Sequence, residues 1–73
     1  MAVVGPDGAP TESGSKILLA ISAEMSTPEL IAQSTGLALF LIKSGLRDLE
    51  KARLVRRSGE HYVLDQKGIE LLS

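Results

Sequence analysis

The residues best placed to do chemistry are cations. Lys43, Arg47 and Lys51 recur at i, i+4 and i+8, and Arg56-Arg57 follows within a few residues. At about 100° per residue, Ile42, Leu46 and Leu49 share one side of a helix, with Leu39 at its margin. Phe40, Lys43, Ser44, Arg47 and Lys51 fall on the other side, and Asp48 and Glu50 fall off that arc. Such a helix has an aliphatic face for a core and a cationic face that can meet a row of phosphates. The same spacing also describes an ordinary solvated face, so the surrounding chain must decide.

Other chemistry is poorly supplied. Ser58, His61 and Asp65 are neighbours in sequence, but residues along a hairpin alternate faces, and nothing supplies an oxyanion pocket. An exposed strand histidine is the better account, and the chain is read as non-enzymatic. There is no cysteine and only one histidine, so neither a disulfide nor a metal site is expected, and no cofactor. The glycines at 5, 8, 14 and 59 lack the strand-to-helix context and the lysine of a nucleotide-binding loop.

Seventy-three residues suffice for one small domain. Hydrophobic residues make up 44%, but Phe40 and Tyr62 are the only aromatics, so the core must be aliphatic. The longest apolar run, Leu37 to Ile42, is far short of the roughly 20 residues that span a bilayer. No basic-then-apolar leader pattern opens the chain, so no membrane association and a cytoplasmic location are expected. Net charge is −1, but residues 1–36 carry −3 and residues 37–73 carry +2.

The elements that position the cations follow in order. Residues 1–13 hold turn chemistry, Gly5-Pro6-Asp7-Gly8-Ala9-Pro10, with only Val3 and Val4 as sizeable apolar groups. They are expected to form a flexible tail. A first helix is expected from Ser13 or Ser15, with Ile17, Leu18 and Ile21 buried and Leu19 outside. A second is expected at about 27–34, started by a Ser26–Glu29 capping box or by Thr27-Pro28, with Leu30 and Ile31 inside and a stop at Gly36. The cationic helix spans about 38–52. Arg53 then occupies a position where a helix stop commonly wants φ > 0. Residues 54–64 read as a β-hairpin turning at Gly59, and Asp65 starts a last helix whose Leu71 and Leu72 are expected to close the core.

Two helices joined through Gly36, then a hairpin, then a helix make a mainly α chain with a small β-hairpin. Glu29-Leu30-Ile31-Ala32, Thr35-Gly36-Leu37, Leu46-Arg47-Asp48-Leu49-Glu50-Lys51-Ala52 and Leu54-Val55 carry a resemblance. Gly59 with Tyr62-Val63-Leu64, and Lys67-Gly68 with Leu71-Leu72, extend it. Over residues 14–73 the chain resembles the winged helix-turn-helix superfamily, in particular small prokaryotic regulators of the MarR and ArsR types. The resemblance implies a three-helix core, a wing and a short C-terminal helix, and a DNA-binding transcription regulator with double-stranded DNA as its partner. It implies that the helix at 38–52 enters the major groove while the wing at 54–64 meets the backbone. Carried over, Lys43, Ser44 and Arg47 face the groove, Lys51 meets a phosphate, and Arg56 and Arg57 are wing cations. Ser26 or Thr27 would offer amides to a phosphate. It also implies a homodimer through the first and last helices. Leu19, Ile69 and Leu72 are then either that dimer face or scattered surface aliphatics.

The chain departs from the pattern in two places. Arg53 replaces the usual glycine, and the cationic helix opens on Ala38-Leu39-Phe40-Leu41, where these regulators carry polar side chains. That apolar start can contact thymine methyls. It equally supports an alternative, a protein–protein interaction module using Leu39, Phe40 and Leu41.

Overall fold

The cationic helix, α3, runs Leu39–Lys51 and buries Ile42, Gly45, Leu46 and Leu49 in the computed structural model, which describes residues 2–72. The two outermost residues of the expected tail and domain, at positions 1 and 73, lie outside the described residues. Around α3 stand α1 (Glu12–Ser22), α2 (Pro28–Thr35), a hairpin of β1 (Val55–Ser58) and β2 (His61–Leu64), and α4 (Gln66–Leu72). The described residues are thus mainly helical, with four helices and one two-stranded antiparallel sheet. The core is aliphatic: Ile17, Leu18, Ile21, Ile31, Ile42, Leu46, Leu49, Leu54 and Val55, joined by Val3.

Local chemistry accounts for the element boundaries. Thr27 caps α2 by accepting the Leu30 N–H at 3.2 Å, and Pro28 fills the first helical position, where no amide hydrogen is needed. Gly36 ends α2 at φ 75°, and its N–H donates to Ala32. α3 stops at Ala52, and Arg53 takes φ 62°, the left-handed conformation that closes a helix but is unusual for a side chain of this size. The hairpin pairs Val55 with Leu64 and Ser58 with His61, turning at Gly59 with φ 64°. An anchor absent from any local pattern fixes this hairpin to the α1–α2 link. The Tyr62 N–H donates to the Ser26 carbonyl at 2.7 Å, and the Ser26 hydroxyl lies 2.9 Å from His61 Nδ1.

The N-terminal segment, expected to form a flexible tail, carries residues packed against the helices. Val3 is fully buried, and Val4 pairs with Pro10 as an isolated antiparallel bridge. Thr11 locks the segment down: its N–H donates to the Val3 carbonyl at 3.0 Å and its hydroxyl to the Ala2 carbonyl at 2.8 Å. The same hydroxyl accepts the Gly14 N–H, so Thr11, not Ser13 or Ser15, is the cap of α1. Two glycines make the seat. A Cβ on Gly14 would collide with the Val3 backbone, and one on Gly45 would lie 2.9 Å from Val3 Cγ1. Val3 and the Thr11 hydrogen bonds together anchor the segment, with Val3 seated where these glycines of α1 and α3 carry no side chain.

Two further expectations are corrected. Leu30 is exposed, and Ile31 alone of α2 is fully buried, because so short a helix presents one narrow stripe to the core. Leu71 and Leu72 are exposed rather than closing the core. α4 starts with the Asp65 carboxylate accepting the Gln66 N–H at 2.8 Å. It meets the hairpin side of the core through Gly68, which lies against the Leu54 carbonyl, and its last turn runs beyond that contact.

Candidate nucleic-acid interface

Amphipathic winding of α3 puts its core residues inward and leaves Lys43, Ser44, Arg47 and Lys51 exposed on one stripe. The hairpin then brings a second element to that stripe. Lys43 and Arg47 share one cleft with Arg57 of β1, and the cleft holds about 630 Å³ between α3, the start of α2 and the hairpin turn. Thr27, Pro28, Gly59 and Tyr62 form part of its walls. The Arg57 Nε donates to the Gly59 carbonyl at 3.1 Å, which holds the guanidinium at the turn.

Arg56 and Arg57 do not act as one pair. Successive strand residues point to opposite faces, so Arg57 sits with Tyr62 on the α3 side while Arg56 sits with Val63 on the other. Both are exposed. Lys51 lies further along α3, in a shallow hollow with Arg47 and Glu50.

Three acids also enter the cleft: Glu29 from α2, Glu50 from α3 and Glu60 from the hairpin turn. Helical angle placed Glu50 off the cationic arc, yet it stands three residues after Arg47, and i, i+3 side chains are neighbours on a helix surface. Glu29 and Glu60 arrive through tertiary contacts that α3 periodicity cannot show. The cleft therefore carries equal numbers of cations and acids, with Lys51 and Arg56 outside it.

The apolar candidates separate as well. At the start of α3, Phe40 is 71% exposed and Leu39 38%, while Leu41 is half-buried. Leu19 and Ile69 are each more than half exposed, but they line different hollows. Leu19 lies with Lys16, Ala23 and Thr35, and Ile69 with Ile21, Tyr62 and Leu64. Ser58 and His61 are paired across the hairpin end, His61 Nδ1 turns to Ser26, and the Asp65 carboxylate is engaged with the Gln66 amide. Among the described residues, no cluster of three His, Cys, Asp or Glu side chains is placed to hold a metal ion. None of their helices is long and apolar enough to cross a membrane.

Comparison with models of known protein families gives no match, and comparison with curated protein sequences gives none either.

Proposed function

We propose that the chain is a winged helix-turn-helix domain that binds duplex DNA, with α3 in the major groove and the β1–β2 hairpin as the wing, and that it serves as a transcription regulator. One observation carries the reading: Lys43 and Arg47 of α3 and Arg57 of the hairpin converge on one cleft, with Ser44 and Lys51 exposed on the same helix stripe. Cations delivered to one face from two elements suit a polyanion that passes between them. Arg56, on the far face of the hairpin, is the cation suited to a phosphate beyond the wing tip.

The test is anisotropy of a labelled mixed-sequence duplex at several salt concentrations. Binding should weaken steeply with salt, and replacing Arg47 and Arg57 together by Ala should reduce the log–log salt slope by about 2, near one unit per phosphate contact. Folded protein that fails to bind at low salt would refute the reading.

A second reading is favoured by the 71% exposure of Phe40 beside a cleft whose acids match its cations in number. In that reading Leu39 and Phe40 dock a protein partner. It predicts that Phe40→Asp abolishes partner binding while the fold stays intact.

A further inference from the structure

The first turn of α3 has an unusual inventory. Its cap residue, Ala38, makes no side-chain hydrogen bond, and Leu39, Phe40 and Leu41 follow it. No side chain of this turn can donate to or accept from a base edge. Phe40, the largest of them, is 71% exposed, so it has no seat within its own domain. Its neighbours along the same helical stripe, at i+3, i+4 and i+7, are Lys43, Ser44 and Arg47, and all three are exposed. A phenyl ring continued by a polar, cationic stripe is complementary to a surface that is apolar at one point and anionic around it. The major groove has one apolar group, the 5-methyl of thymine, set among phosphates.

We infer that Phe40, with Leu39 beside it, reads thymine methyl groups, and that the DNA taken by this domain carries thymines about three base steps from a guanine contacted by Arg47. The inference rests on the proposal that α3 occupies the major groove. The spacing supports the pairing. Seven residues at 1.5 Å rise place Arg47 about 10 Å along the helix from Phe40, close to three steps of about 3.4 Å along a DNA strand. Arginine has the fork that pairs with guanine O6 and N7. Ser44, between them, can pair with several base edges, so it adds contact without fixing the base.

The experiment compares duplexes that differ only in the methyl. One carries an A·T run beside guanines, and the second is identical with every thymine replaced by deoxyuridine. A third restores methyls elsewhere, as 5-methylcytosine in place of cytosine. The wild-type protein should bind the thymine duplex about fourfold tighter per methyl contact than the deoxyuridine duplex, the factor expected from burying one methyl. Phe40→Ala should lose most of that preference while keeping the wild-type salt slope. Salt-dependent binding by wild type that ignores the methyl in all three duplexes would overturn the inference and leave the DNA-binding reading standing. Absence of binding to every duplex at low salt would overturn both. Because Phe40 is exposed, the variant's fold is checked simply by an unchanged thermal melt.

Discussion

The segment at 2–11 and the opening of α3 behave in opposite ways. The first is rich in Gly and Pro, yet it folds back and buries Val3 completely. The second contains the longest apolar run of the chain, yet it leaves Phe40 71% exposed. Hydrophobicity sets what burial is worth, and the shape of the neighbouring surface decides whether burial happens. Gly14 and Gly45 open a slot for a small branched side chain next to Thr11, which holds the backbone there. At the start of α3 the helix turns Ile42 and Leu46 to the core, so the ring of Phe40, on the opposite side, is left outside.

The comparison can be broken first at the slot. Gly14→Ala places a methyl against the Val3 backbone, so the segment or α1 must move, and a loss of about 1–3 kcal/mol is expected by urea unfolding. An unchanged midpoint would mean that the N-terminal segment is not seated on α1. Next comes a pair of truncations. Val3→Ala removes two buried carbons and should cost about 2 kcal/mol, roughly 8–15 °C in melting temperature for a domain of this size. Phe40→Ala removes a far larger side chain and should stay within about 0.5 kcal/mol. Equal losses from the two would show that the ring is covered in solution. The smallest effect concerns the charged cleft: Glu50→Gln with Glu60→Gln removes two of its three acids without changing their shape. Duplex affinity measured by anisotropy should rise by a few-fold at low salt and less at high salt, as for other exposed charges. Unchanged affinity would place the phosphates away from the cleft, toward Lys51 and Arg56.

Much of the architecture was legible because it depends on near neighbours. Thr27-Pro28 and Gly36 bracket α2, the period of Ile42, Leu46 and Leu49 outlines α3, and Gly59 turns the hairpin. The strain expected at Arg53 appears as φ 62°. The exposed cations of α3 were legible for the same reason, since one helix sorts its own residues. The capping of α1 was not, because Ser13 and Ser15 are good caps by type and Thr11 wins only through its bonds to Ala2 and Val3. The exposure of Leu71 and Leu72 was not legible either, because periodicity cannot report where the core ends.

By itself, the sequence determined the element order, the aliphatic character of the core and the cationic stripe on α3, all of which follow from side-chain type and short-range spacing. The tertiary structure decided which charges meet. It joined Arg57 to Lys43 and Arg47, set Arg56 on the far side of the hairpin, and brought Glu29 and Glu60 into the same cleft. It also decided that Val3 is inside. These outcomes depend on the distance between elements remote in the chain, and packing alone sets that distance.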